Sequence, residues 1–183
     1  MTATTVRTTG ATVWLTGLPS AGKSTLAGAL AAALRGDRLV EVLDGDEVRA
    51  NLTAGLGFSR ADRDENVRRI GWLAGLLARN GVLVLVPVIA PYAEARAAVR
   101  EAHRAGATTY LEVHVATPLD VCADRDVKGL YAAQRAGAVS GLTGVDDPYE
   151  PPGSPDLRLD TSALSLDDSV AALRDLLRTR GLA

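Results

Sequence analysis

The sequence predicts an α/β chain, a five-stranded parallel sheet with helices on both faces. Two observations carry that expectation. Short apolar runs at residues 13–16, 39–43, 82–89, 110–116 and 157–159 alternate with longer segments in which apolar residues recur at helical spacing. Strands joined through helices return in the same direction, so the sheet is parallel and the helices cover it. A length of 183 residues, with 47% hydrophobic and 23% charged residues, suits one core. Residues 11–183 are therefore expected to form a single domain behind a Thr-rich, flexible start at residues 1–10.

The first run leads into Gly17-Leu18-Pro19-Ser20-Ala21-Gly22-Lys23-Ser24-Thr25, which fits the phosphate-loop pattern G-x-x-x-x-G-K-[ST] in its strand–loop–helix setting. This predicts the three-layer P-loop nucleoside-triphosphate hydrolase fold. Gly17 and Gly22 let the backbone turn, so that the N–H groups from Ser20 through Thr25 and the positive end of the next helix face a polyphosphate. Lys23 would set its charge on the β- and γ-phosphates, and the Ser24 hydroxyl would join a magnesium shell. The helix is expected at about residues 22–34, closed by Gly36 as a left-handed cap.

The second run ends in Asp44-Gly45-Asp46, two carboxylates at the carboxyl edge of the sheet, where open α/β folds bind ligands. The same residues also suit a plain turn. No acidic residue ends the third run, so Asp44 and Asp46 are expected to hold magnesium or the attacking hydroxyl. Ser59 and Asp62 form a helix-start capping pattern. The charged run that follows would ordinarily be a solvated helix face, ending near Asn80-Gly81. Phe58, Arg63 and Asn66 nevertheless combine an aromatic plane, a guanidinium and an amide, a set suited to a nucleotide-like substrate.

After the third run, Ala90-Pro91-Tyr92 forms a loop before a helix at about residues 94–104, and Arg96 one turn in is placed to point back toward the site. The fourth run ends in Thr117-Pro118, a cap followed by proline at the first helical position. Basic side chains among glycines at about residues 125–152 suggest a mobile lid, against the plainer reading of a surface excursion. After the last run come Asp160-Thr161 and a helix begun by Ser165, with Leu166, Val170, Leu173, Leu176 and Leu177 on one face.

A net charge of −2 gives no global basic field, which argues against nucleic acid as a partner. No apolar run approaches the length of a membrane span, and the start lacks the apolar core of a signal peptide. Cys122 has no partner for an internal disulfide and is expected to be packed in a helix; with these features the expected address is the cytoplasm. His103 and His114 show no ligand spacing and are expected to be structural, with no zinc site.

Taken together, Gly17 to Thr25, Leu43-Asp44-Gly45-Asp46, Gly57-Phe58-Ser59 with Asp62-Arg63 and Glu65-Asn66-Val67-Arg68-Arg69-Ile70, then Arg125-Asp126-Val127-Lys128-Gly129-Leu130-Tyr131 and Thr143-Gly144 with Asp146-Asp147-Pro148-Tyr149-Glu150, closely resemble adenylylsulfate kinase. The resemblance implies transfer of the γ-phosphate of ATP, with magnesium, to the 3′-hydroxyl of adenosine 5′-phosphosulfate. It implies that Phe58 stacks on the substrate adenine, that Arg49, Arg63 and Asn66 hold its phosphosulfate and ribose, and that Ile89 and Leu142 also line its site. Lys128 would reach the substrate from the lid, while Arg125 lies over the ATP base beside Thr161. Asp46 would orient or deprotonate the acceptor hydroxyl and help hold magnesium, with Asp44 beside it. A homodimer is implied as well. Two residues depart from the family pattern: Ala90 stands where serine is usual, and Leu142 where phenylalanine is usual, replacing one aromatic face of the adenine site by an aliphatic one. The alternatives are a kinase of the same fold for another nucleoside-like or small hydroxylated acceptor, and an ATP-binding module without turnover.

Overall fold

In the computed structural model, which describes residues 9–182, strands β1 (Ala11–Thr16), β2 (Val40–Val42), β3 (Leu83–Pro87), β4 (Thr109–Val115) and β5 (Leu157–Leu159) form one sheet in the order β2-β3-β1-β4-β5. Every pairing is parallel, with Leu15 opposite Pro87 and Thr16 opposite His114 at the carboxyl end of β1. The helices are α1 (Lys23–Leu34), α2 (Gly45–Asn51), α3 (Arg60–Arg79), α4 (Ala93–Ala105), α5 (Leu119–Arg125), α6 (Leu130–Arg135) and α7 (Leu166–Thr179). The expected α/β class and five parallel strands are thus present.

β1 is buried along its whole length, and its side chains alternate between two cores. Val13 and Leu15 pack with Leu26 and Leu30 of α1 and with Leu173 and Leu177 of α7. Trp14 packs on the other face with Ile70 of α3, Val99 of α4 and Val84 and Val86 of β3. Helices on both faces leave the carboxyl edge of the sheet as the open side.

Of the expected flexible start, residues 1–8 lie outside the described residues, and Gly10 is buried, backed against the Ala78 carbonyl. Gly36 is not the left-handed cap expected of it. α1 ends at Arg35 with right-handed geometry, and the Leu34 carbonyl accepts from the N–H groups of Asp37 and Arg38, so a tight turn leaves no need for a left-handed residue. α2 was not expected from the sequence; Asp44 starts it by accepting from the Asp46 N–H at 3.0 Å. Ser59 caps α3 as anticipated, accepting from the Asp62 N–H, and Gly81 follows its end with φ 87°.

Arg96 does not point into the site. It is 3% exposed and donates to Glu112 Oε1, to the Ala90 carbonyl and to the Glu150 carbonyl, because a buried guanidinium needs acceptors on every nitrogen. His103 is buried, donating from Nδ1 to the Val99 carbonyl and accepting at Nε2 from Thr12 Oγ1, and His114 packs against the Tyr149 ring. Cys122 is fully buried in α5. Among the described residues, no helix is long and apolar enough to cross a membrane.

Candidate active site

The carboxyl ends of β1, β2, β3 and β5 open into one cavity of about 690 Å³. Its floor is the loop after β1. Gly22 takes φ 98° and ψ 8°, a left-handed conformation that turns the chain into α1 and that a side chain would strain. Gly17 lies behind the wall, where an added Cβ would stand 2.3 Å from the Val115 carbonyl oxygen; the close approach of β4 demands glycine.

Lys23 Nζ donates to the carbonyls of Gly17 at 2.9 Å and Leu18 at 2.7 Å, curling back over the loop that carries it. Its burial pulls the ammonium down from 10.5 to about 8, with nearby Lys128 adding to the fall and Asp44 and Asp46 opposing it. Ser24 Oγ donates to Asp44 Oδ2 at 2.6 Å, so one carboxylate both caps α2 and holds the hydroxyl of the phosphate loop. Asp46, in the first turn of α2 and exposed, pairs with Lys128 from the turn after α5.

At one end of the cavity, Arg125 donates to Thr161 Oγ1 at 2.7 Å and to the Thr161 carbonyl at 2.9 Å. Thr161 and Thr117 both donate to the Ala21 carbonyl, tying the ends of β4 and β5 to the phosphate loop. Leu164 and Leu166 supply an apolar wall beside them.

At the other end, Phe58 is 67% exposed with the Arg49 guanidinium 4.4 Å from its ring centroid. Arg63 is buried, donating from Nε to the Phe58 carbonyl, from Nη1 to Thr143 Oγ1 at 2.8 Å and from Nη2 to the Gly141 carbonyl at 2.6 Å, so that its fork is held in place with a second N–H on each Nη left for a ligand. Thr53 Oγ1 donates to Asn66 Oδ1 at 2.7 Å, which commits that oxygen and leaves the amide N–H groups for a ligand. Ile89, Ala90 and Pro91 complete this wall.

Of the residues expected in the site, Gly17 and Leu142 alone are absent from the cavity wall. Leu142 is 6% exposed and packs in the core of the α1 face of the sheet, so it does not present an aliphatic face in place of an aromatic one. Asp146 sets this direction by accepting from the N–H groups of Gly141 and Leu142, folding the turn so that the leucine points inward. Thr53, Thr117 and Thr143 hold site residues through contacts that were not anticipated. Thr117, expected to cap the next helix ahead of a proline at its first position, instead donates to the Ala21 carbonyl, and Pro118 itself is the cap residue before Leu119. Single threonines in irregular chain carry no pattern from which such a contact follows.

The oxygen donors around Ser24 suit magnesium chemically. A hydroxyl and two carboxylates are hard ligands, too few for a cage of protein atoms, and magnesium ordinarily keeps waters and takes phosphate oxygens besides one or two carboxylates.

Comparison with known proteins agrees with this geometry. The family described as adenylylsulphate kinase matches residues 9–160. A probable adenylyl-sulfate kinase of Synechocystis sp. is 57% identical over 90% of this chain and 91% of its own. The solved structure of the Mycobacterium tuberculosis APS kinase in complex with AMPPNP and APS superposes with a TM-score of 0.90 at 47% identity, covering 93% of this chain and 99% of that one. A structure described as a hexameric APS kinase from Thiobacillus denitrificans has a TM-score of 0.74 at 39% identity, covering 96% of this chain and 30% of its own. With the match spanning most of its length and the phosphate loop and its partner residues in one cavity, the chain belongs to the adenylylsulphate kinase family.

Proposed function

We propose that this cavity transfers the γ-phosphate of ATP to the 3′-hydroxyl of adenosine 5′-phosphosulfate, giving 3′-phosphoadenosine 5′-phosphosulfate. The observation that carries the reading is that the phosphate loop and the Phe58–Arg63–Asn66 cluster open into one cavity whose wall also holds Asp46. That is the arrangement an in-line transfer between two bound nucleotides needs, since such a transfer is mostly positioning and charge neutralisation.

Lys23 and the N–H groups of Ser20 through Thr25 bind the β- and γ-phosphates, while Arg125 and Thr161 flank the ATP base. Phe58 stacks on the acceptor adenine, and Arg49, Arg63, Asn66 and the wall at Ile89 hold its sugar and phosphosulfate. Asp46 accepts the proton of the attacking hydroxyl or orients it, and Lys128 then turns from Asp46 toward the charge on the transferring group. Ser24 and Asp46 would hold magnesium, with Asp44 beside them, and the chemistry the ion supplies is neutralisation of the phosphate oxygens. Residues 125–152 act as a lid, because Arg125 and Lys128 both reach the site from that segment.

A cytoplasmic address and a homodimer complete the reading on family grounds. Sedimentation of the purified chain would distinguish a dimer from a larger assembly such as the hexamer described for the Thiobacillus relative.

A coupled assay with ATP, magnesium and adenosine 5′-phosphosulfate, run against a panel of other nucleosides, tests the acceptor. Turnover of adenosine 5′-phosphosulfate well above the panel supports the reading, and preference for another acceptor sinks it. In the same assay Asp46→Asn should cut kcat by roughly a hundredfold or more while the KM for ATP moves little, the pattern of a group acting in the transition state.

A further inference from the structure

The loop between β3 and α4 is held by its carbonyls. The Ile89 carbonyl accepts from Thr16 Oγ1 at 2.5 Å, the Ala90 carbonyl from Arg96 Nη1 at 2.6 Å and the Pro91 carbonyl from the Glu150 N–H at 2.8 Å. These donors come from β1, α4 and the far end of the 125–152 segment, and the residues they fix line the cavity.

Within that loop Ala90 adopts φ 44° while 4% exposed. The left-handed region is uncommon for a residue bearing a Cβ and persists where the surroundings impose it. The imposing group is identifiable. All three Arg96 nitrogens are committed, Nη1 to Ala90, Nη2 to the Glu150 carbonyl at 2.6 Å and Nε to Glu112 Oε1 at 2.9 Å. Glu112 stands on β4 in the sheet, so the guanidinium is anchored on one side by a rigid strand and grips two loops on the other. The Tyr149 ring lies 5.9 Å from the guanidinium carbon, and the Tyr149 hydroxyl meets Thr16 Oγ1, the group that also holds Ile89.

We propose that Arg96 is a positioning residue for the acceptor: anchored on Glu112, it holds Ala90 in its left-handed turn and locks the acceptor wall at residues 89–91 to the end of the lid segment at Glu150. The inference rests on the proposed function, since it takes that wall to be where adenosine 5′-phosphosulfate binds. Arg96 itself does not touch the ligand. Its planar fork can serve three acceptors at fixed angles, which a lysine ammonium on a flexible stem cannot reproduce. The residue should therefore matter to the acceptor and not to ATP, whose phosphate loop it does not contact.

The test uses the full chain, with Arg96→Lys and the double variant Arg96→Lys/Ala90→Gly, measuring kcat, both KM values and the thermal melt of each. Arg96→Lys should raise the KM for adenosine 5′-phosphosulfate about tenfold, the scale of a lost hydrogen bond to a charged group, and leave the KM for ATP within about twofold. Adding Ala90→Gly should recover part of that loss, because glycine takes a positive φ without being held there. An unchanged acceptor KM in Arg96→Lys overturns the inference, provided the unaltered chain turns over adenosine 5′-phosphosulfate. So does a parallel rise of both KM values tracking loss of folded protein, which marks a merely structural role. So too does a raised acceptor KM that glycine at position 90 fails to lower. An unaltered chain idle on this acceptor overturns the proposed function instead, and the inference with it.

Discussion

The two ends of the cavity are built by different means. The phosphate end takes its shape locally, since Gly17 through Thr25 form the loop and Lys23 bonds to carbonyls 5 and 6 residues away, although Thr117 and Thr161 brace its Ala21 carbonyl from a distance. The acceptor end is assembled from distant pieces, since Arg63 is held by Gly141 and Thr143 across 78 and 80 residues, and Lys128 reaches Asp46 across 82. A local site is specified by backbone geometry and tolerates change elsewhere. A distributed site depends on the contacts that bring its parts into register, so residues that never touch a ligand can govern it.

The sharpest break of the local end is Lys23→Ala. It removes the buried charge that faces the phosphates, and turnover should fall about a thousandfold, the upper scale for a preorganised electrostatic contact. The melting temperature should not drop with it, because an ammonium buried enough to be pulled down to about 8 is itself a burden on the fold. A coupled assay and a thermal melt on the same preparation check both halves.

At the distributed end the corresponding break comes from a residue outside the expected site. Thr53→Val keeps the shape and deletes the hydroxyl that donates to Asn66, freeing the amide to rotate. The KM for adenosine 5′-phosphosulfate should rise about fivefold to tenfold, with the KM for ATP unaltered. Equal effects on both substrates would mean that the two ends are not separable.

The same contrast explains what the sequence disclosed. The phosphate loop was legible because its function follows from consecutive residues in a fixed setting, and β5 falls at the expected residues 157–159 because a short apolar run between turns admits few registers. α2 was missed because Asp44-Gly45 reads equally as a turn, and only the cap on Asp46 N–H decides for a helix. The contacts of Thr53, Thr117 and Thr143 were missed because their partners lie 13, 44 and 80 residues away. Leu142 was placed by its position beside Thr143-Gly144, but side-chain direction depends on how Asp146 folds the turn, and motif order carries no such information.

Leu142→Phe turns that correction into a measurement. Were the side chain on the acceptor wall, an aromatic ring would tighten adenosine 5′-phosphosulfate. Buried beside the core of the α1 face, it should instead overpack, costing about 1–3 kcal/mol of stability in a denaturant titration while the acceptor KM moves less than about twofold. Tighter acceptor binding without a stability loss would return Leu142 to the site.

The smallest effect is a proton. In the nucleotide-free chain Lys23 titrates near 8, lowered chiefly by burial. A polyphosphate beside the ammonium favours the charged form and pushes the value back up. At pH 7 the lysine is mostly protonated in both states, and ATP binding through it moves only about a tenth of a proton. At pH 9 the free chain is mostly neutral at Lys23 and the complex is charged, so binding must take up a fraction of one proton, and affinity must fall as pH rises through about 8. Calorimetry of ATP binding in two buffers of different ionisation enthalpy reads that uptake directly. Lys23→Arg, always charged, should abolish it, whereas uptake that survives in Lys23→Arg would assign the proton to a group other than Lys23 and overturn the lysine as the electrostatic mark of the phosphate end.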